Sequence, residues 1–364
     1  MKGKKLITLI LTGAMAFSLA ACSNGGQTNT DAPGGDSTGT PEASSMKVGL
    51  VLSTGGLGDK NFNDMAYDGI TRAQEELGIT FEYLEPETAS DFVPYLRTMA
   101  EKNEYELIIG LGADMGESIT EVAEDFPDQK FSHIDSSIDV ESVSCVQTRW
   151  PEQTFLTGVV AGLGTLSDME KANDDNVVGV IVGQSNPALL NGVAGFTAGV
   201  KYVNPDCEVL FGDVDNFNDP GKGKEMALSM YNQGADFIQS IAGASGMGIY
   251  NAAKEADAYC FGVGANANYI EPDYIVATAA RKVDEMVYNE IKSVIDGTWS
   301  GGAHITGMAE GAVGFDNSQS NVVLPDDIAT AVEEIRQLIV DGTLVPPDSS
   351  EDMDAWVAAN QYQE

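Results

Sequence analysis

From Lys47 onward, short apolar runs alternate with longer stretches in which apolar residues recur every three or four positions. The runs Lys47–Ser53, Thr80–Leu84, Glu106–Gly110, Lys130–Ile134, Val177–Val182, Glu208–Phe211, Asp236–Ile241 and Ala258–Val263 read as strands. Between the first two, Phe62, Ala66, Ile70, Ala73 and Leu77 fall on one helical face. Strands alternating with helices in this way predict parallel sheets covered by helices on both faces.

The pattern then repeats. Val48–Leu52, a glycine loop at Gly55–Gly58 and an amphipathic helix correspond to Val178–Val182, the loop Gly183–Pro187 and a second helix. Glu106–Gly110, Gly112-Ala113 and Lys130–Asp135 correspond to Asp236–Gln239, Gly243-Ala244 and Tyr259–Gly264. The expected fold class is α/β with two doubly wound lobes of similar build. Ligands of such sheets sit at the carboxyl ends of the strands, so two facing lobes would share one cleft able to hinge shut.

The chain opens with Lys2, Lys4 and Lys5, an apolar stretch from Leu6 to Phe17, and Leu19-Ala20-Ala21-Cys22. This is the layout of a secretory leader over 1–21, and its apolar part is short of the roughly 20 residues that cross a bilayer. A Cys directly after Leu-Ala-Ala resembles the bacterial lipobox, in which that Cys takes up diacylglycerol and becomes the mature N-terminus. The expectation is a protein lipid-anchored through Cys22 to a bacterial cell membrane, facing outside the cytoplasm. A Gly/Ser/Thr/Asp-rich tether covers 22–46.

Roughly 320 residues follow the tether, enough for one large or two ordinary domains. Formal charge is −37, and losing the three lysines of the leader makes it −40. Such a field opposes nucleic acid and anionic head groups and favours a neutral or cationic small ligand. The three remaining cysteines, Cys145, Cys207 and Cys260, are an odd number and give no disulfide framework. With His133 and His304 the only histidines, no zinc spacing exists. Enzyme motifs also fail. Asn61 stands where Gly-x-G-x-x-Gly needs its last glycine, and Glu225 replaces the Ser or Thr that should close a phosphate loop at Gly221–Lys224. No catalytic residue, metal or cofactor is expected.

Gly58-Asp59-Lys60-Asn61-Phe62-Asn63-Asp64 resembles the basic membrane protein family of lipoproteins, the purine-nucleoside-receptor-like binding components of ABC importers. Further matches follow in order: Phe155-Leu156-Thr157-Gly158, Gly195-Phe196-Thr197-Ala198-Gly199, Asn216 through Glu225, and Gly234-Ala235-Asp236. The resemblance implies a type I periplasmic-binding fold with three crossovers over 47–345, no catalysis, and an ABC permease and ATPase as partners. Lobe 1 is expected mainly over 47–150 and lobe 2 mainly over 155–265, with the remainder crossing between them. An acidic, solvated tail is expected over 346–364.

For the site, the resemblance implies that Phe62 and Phe217 sandwich a ring, each stack contributing roughly 1–3 kcal/mol. The plainer alternative is that Phe62 is simply the first apolar residue of an amphipathic helix. Asn63 and Asp64 either bind ligand or cap that helix, and Trp150 at the first crossover either lines the cleft or packs. The family's ribose-reading groups are replaced. Ser53 stands nine residues before Phe62 where relatives have an Asp, Gly264 ends what should be Gly-Val-Asp, and Arg281 takes the place of a Lys. Losing a carboxylate that accepts two hydroxyl bonds costs several kcal/mol at about 1.5–3 each, unless Asn266 or Ser53 substitutes. The expected ligand is planar and heterocyclic: a nucleoside, base or flavin-like molecule. Alternatives are a sensor lipoprotein that signals to a membrane receptor, or a ligand-free surface adhesin.

Overall fold

A computed structural model describes residues 46–54, 56–59 and 61–362. The leader, Cys22 and the tether up to residue 45 lie outside the described residues. The strands are β1 (Lys47–Val51), β2 (Thr80–Leu84), β3 (Leu107–Leu111), β4 (Phe131–Ile134), β5 (Val143–Thr148), β6 (Val177–Val182), β7 (Glu208–Asp213), β8 (Ala235–Ile241), β9 (Tyr259–Gly264), β10 (Ile275–Arg281), β11 (Gly302–Thr306) and β12 (Val313–Asp316). The helices are α1 (Phe62–Leu77), α2 (Phe92–Lys102), α3 (Gly116–Asp125), α4 (Trp150–Gly164), α5 (Pro187–Val203), α6 (Pro220–Tyr231), α7 (Gly246–Ala256), α8 (Val283–Ile295), α9 (Asp326–Val340) and α10 (Met353–Ala359).

They build two six-stranded sheets, β11-β5-β4-β3-β1-β2 and β12-β10-β9-β8-β6-β7. Strands β1–β5 and β6–β10 take up the same order, so the repeat seen in sequence is a repeat of topology. Each sheet gains one strand from the C-terminal third. β11 pairs parallel with β5, and β12 pairs antiparallel with β10. The inner strands are buried on both faces, as in Leu107–Leu111 and Val177–Val182. Parallel strands covered by helices therefore read as unbroken apolar runs.

Both lobes lie in one compact unit, Pro41–Glu364. The chain crosses between them three times. It leaves β5 at Arg149 to enter α4, returns after β10 so that α8 packs on α1, and leaves again between β11 and β12. Lobe 1 is thus 47–148 with 283–306, and lobe 2 is 150–281 with 313–362. The return is tight: a β-carbon on Gly69 of α1 would stand 2.4 Å from the Asp284 carbonyl oxygen of α8. In lobe 2, α4 is apolar around its circumference because α5, α9 and the sheet all cover it. Its contact with α5 runs through glycines. A β-carbon on Gly158 would meet the Phe196 carbonyl oxygen at 2.2 Å, and one on Gly199 the Phe155 oxygen at 2.0 Å.

The expected solvated tail is instead partly structured. Its residues include α10, whose Trp356 ring lies 5.8 Å from that of Phe155 and 6.1 Å from that of Tyr202. The Trp356 indole N–H donates to the Val345 carbonyl at 3.0 Å, and Tyr362 N–H to the Tyr202 carbonyl at 3.1 Å. Two aromatic anchors within an acidic stretch suffice to hold it against lobe 2.

Candidate functional site

The segments that follow β1, β4, β5, β6, β7, β8, β9 and β10 all converge between the lobes, so the carboxyl edges of both sheets line one cleft. It has two compartments. The first, of about 510 Å³, is bordered by Asp135, Ser136, Gln147 and Thr148 from lobe 1, by Trp150 and Gln153 at the start of α4, by Asn186, Phe217 and Gly264 from lobe 2, and by Arg281. The second, of about 710 Å³, is bordered by Asp59 and Phe62 on one side and by Met247, Tyr250, Asn266 and Tyr269 on the other. Asn61, Gly243 and Val263 border both.

Arg281 organises the wall nearest the crossovers. Its Nη1 donates to Asp135 Oδ1 at 2.8 Å, linking the end of β10 in lobe 2 to the end of β4 in lobe 1. Its guanidinium carbon lies 5.3 Å from the Phe62 ring centre and 5.2 Å from that of Trp150. One cation thus stands over two aromatic rings, within the range of cation–π attraction. Because Asp135 balances its charge, the compartment is not a bare cationic socket. Gln153 is buried and donates Nε2 to the Ala279 carbonyl at 2.9 Å. Its Oε1, Thr148 Oγ1 and Arg281 Nε have no hydrogen-bond partner. Three buried polar atoms without a protein partner thus lie on residues around one compartment.

The residues singled out in sequence part company here. Trp150, Phe217 and Arg281 border the first compartment, whereas Phe62 and Asn266 border the second. Phe62 and Phe217 therefore border neighbouring compartments that share Asn61, Gly243 and Val263. Asn61 lies where the compartments meet, and the Arg281 guanidinium stands over the Phe62 ring. Phe217 rests on its own lobe at Gly183, where a β-carbon would lie 2.3 Å from the ring, and Trp150 rests on Gly192.

Ser53 and Asn63 are spent on each other. Asn63 is buried, and its Oδ1 accepts from the Ser53 N–H at 2.9 Å and the Ser53 hydroxyl at 3.1 Å. Its Nδ2 donates to Asp59 Oδ2 at 3.1 Å. Neither is among the residues that border the two compartments. Capping of α1 falls to Asp59, whose carboxylate accepts from the backbone N–H groups of Asn61, Asn63 and Asp64. Asp64 accepts from Gly58 N–H at 2.7 Å, which ties the glycine loop to the helix. The Asn266 amide also works within lobe 2, donating to Asp316 Oδ2 at 2.9 Å and Ser318 Oγ at 2.8 Å while its oxygen accepts from Asn268 N–H. It cannot stand in for a lost carboxylate without leaving these partners.

Sequence reasoning missed Asn61, Asp135, Gln153 and Asn186 as residues of the cleft. Their shared signal is position, since each lies just past the carboxyl end of a strand or at a helix start. Two groups outside the cleft are structural. His133 is buried with Nε2 2.7 Å from the Gly112 carbonyl oxygen, and burial lowers its pKa. Cys145, Cys207 and Cys260 are free and buried, and burial pushes the Cys207 thiol up to about 12.

Residues 46–349 match the family described as ABC transporter substrate-binding protein, PnrA-like. An uncharacterized lipoprotein of Pyrococcus abyssi is 30% identical over 91% of this chain and 85% of its own length. An ABC transporter nucleoside-binding protein of Lactococcus lactis is 27% identical over 83% of this chain and 89% of its own. Among solved structures, an ABC transporter solute-binding protein of Aeropyrum pernix superimposes with a TM-score of 0.70 at 28% identity, covering 86% of this chain and 98% of that one. The two-lobed sheets, the three crossovers and these likenesses agree: the chain belongs to the Bmp family of PnrA-like ABC transporter substrate-binding proteins, and it is a solute-binding lipoprotein, not an enzyme.

Proposed function

We propose that the protein captures a planar, polar heterocycle (a nucleoside, a free base or a flavin-like molecule) in the first compartment and delivers it to an ABC permease powered by its ATPase. Lipid on Cys22 would hold it to the outer face of the cell membrane. The observation that carries this reading is the wall of that compartment. Trp150 and Phe217 offer two aromatic surfaces, and the polar side chains of Asp135, Gln147, Asn186 and Arg281 border the same space. Aromatic faces are tolerant of any flat ring, while polar groups select its edge. The nucleoside-binding relative in Lactococcus lactis points the same way. Gly264 and the Arg281–Asp135 pair argue for an edge different from that of a ribonucleoside, because no carboxylate stands at 264 to accept sugar hydroxyls.

The test is thermal unfolding with a panel of nucleosides, bases and flavins, joined to mass spectrometry of whatever co-purifies. A ligand at 100 times its Kd stabilises by about 2.7 kcal/mol, a clear rise in Tm. No rise with any member, and no heterocycle among co-purified molecules, would defeat the ligand class.

A further inference from the structure

Asn61 reaches across the cleft. Its Oδ1 accepts a hydrogen bond from the backbone N–H of Ala265, in the opposite lobe, at 3.1 Å. A β-carbon built on Gly264 would stand 3.0 Å from that same oxygen and 3.5 Å from the Asn61 Nδ2. Gly264 has a φ of +83, a region that residues with a side chain avoid. Both its conformation and its missing side chain thus make room for the amide. On its own lobe, the Asn61 backbone is fixed at the start of α1. Its N–H donates to Asp59 Oδ1 at 2.9 Å, and its carbonyl accepts from Met65 N–H at 2.9 Å. The amide is therefore presented to lobe 2 from a rigid helix start, at the place where the two compartments meet.

We propose that Asn61 is a built-in occupant of the cleft, a latch that bonds Ala265 in the space left by Gly264 and holds the lobes together without solute. An incoming solute that spans both compartments has to displace this amide, so Asn61 helps decide which solutes fit. A bond made only when the lobes meet biases the open–closed equilibrium toward the closed form. It also lowers the apparent affinity of any solute that enters only the open form, by the fraction of molecules that are open. The proposal rests on the solute-binding reading but on no particular ligand class.

The test needs no ligand. Spin labels are placed on Glu124→Cys of α3 and Asn251→Cys of α7, exposed positions on opposite lobes, in the mature protein in detergent micelles. The three native cysteines of the lobes are buried. After co-purified solute has been stripped with denaturant and the protein refolded, the interlobe distance is measured by double electron–electron resonance. The unaltered cleft should give one short distance. Asn61→Ala should lengthen it by more than about 2 Å, the scale of a domain rearrangement. Gly264→Ala should do the same by displacing the amide, and the double variant should open no further than the wider single one. An unaltered cleft that is already open, or an Asn61→Ala distance equal to it, overturns the latch. A failed heterocycle panel would leave this result untouched, so the two readings fall separately.

Discussion

Arg281→Met is the perturbation that best tests how the cleft wall is held. The Arg281 side chain is 14% exposed and that of Asp135 is 25% exposed, at an N···O distance of 2.8 Å. Such a pair lies between a surface ion pair, contributing roughly 0.2–1 kcal/mol, and a buried one, whose disruption costs about 3–5. Each aromatic contact, with Phe62 and with Trp150, adds about 0.5–1 kcal/mol. Methionine restores part of the apolar contact but leaves Asp135 without its partner. The expected net loss is about 2–3 kcal/mol, read as a lower midpoint in urea with fluorescence and far-ultraviolet circular dichroism followed together. Arg281→Lys keeps the charge but loses the planar face, and should recover about half of that loss. Combining Arg281→Met with Asp135→Asn should reveal a coupling of about 1–2 kcal/mol. A loss under about 0.5 kcal/mol, or strict additivity of the two substitutions, would refute the view that this interlobe pair is an energetic tie.

Two further outcomes follow from groups outside the cleft. Asp236 is buried at the start of β8, with Oδ2 accepting from the Thr165 hydroxyl at 2.9 Å and Asn173 N–H at 3.1 Å, and burial raises its pKa to about 6. A carboxyl group raised in the folded state favours folding when protonated. That contribution is complete below the unfolded value near 4 and is lost as pH rises through about 6. At 1.36 kcal/mol for each tenfold change in proton affinity, the stability of the natural protein relative to Asp236→Asn should grow by about 2–3 kcal/mol from pH 7 to pH 4; parallel curves for the two proteins would rule this out. Trp356→Ala removes a half-buried ring from Phe155 and Tyr202. It should cost about 2–3 kcal/mol, somewhat under the range for a fully buried Trp, and open the residues after Val345 to limited proteolysis. An unchanged cleavage pattern would mean that this ring does not hold the C-terminal segment.

The lobes were legible because parallel strands covered on both faces must be largely apolar: β3 and β6 are so throughout, β1 is so after Lys47, and β8 admits Asp236, Gln239 and Ser240 only as buried side chains. Strands that owe their state to position were not. β10 is alanine-rich Ile275–Arg281, β12 carries glycine on an edge, and β11 alternates as an edge strand with exposed Ile305. Near the site, one hydrogen bond decides whether a polar residue past a strand faces the cleft or its own backbone. Asn63 and Ser53 satisfy each other, and Asp59 takes the capping role. Asn61, two positions from both Asp59 and Asn63, is left to cross the gap. No periodicity distinguishes these neighbours, since what separates them is rotamer and partner.

The same contrast explains why the family could be read while its cargo could not. Two stretches that carried the resemblance, Phe155–Gly158 and Gly195–Gly199, form the glycine seam between α4 and α5. There a β-carbon would strike backbone oxygen at 2.2 Å on Gly158 and at 2.0 Å on Gly199. The stretch from Asn216 to Glu225 builds the start of α6, with Asp219 accepting from Lys222 N–H at 2.9 Å and Gly248 admitting the Pro220 carbonyl. Any side chain at these glycines would force helices apart, so the packing of the scaffold dictates them. The positions that face the cleft are under no comparable steric limit. Arg281 can replace a lysine if Asp135 is there to receive it, and Gly264 can replace an acid if Asn61 fills the space. Identity at the seam therefore reports the shell, whereas the cleft is lined by side chains whose contacts across the lobes, Arg281 with Asp135 and Asn61 with Ala265, no local sequence pattern announces.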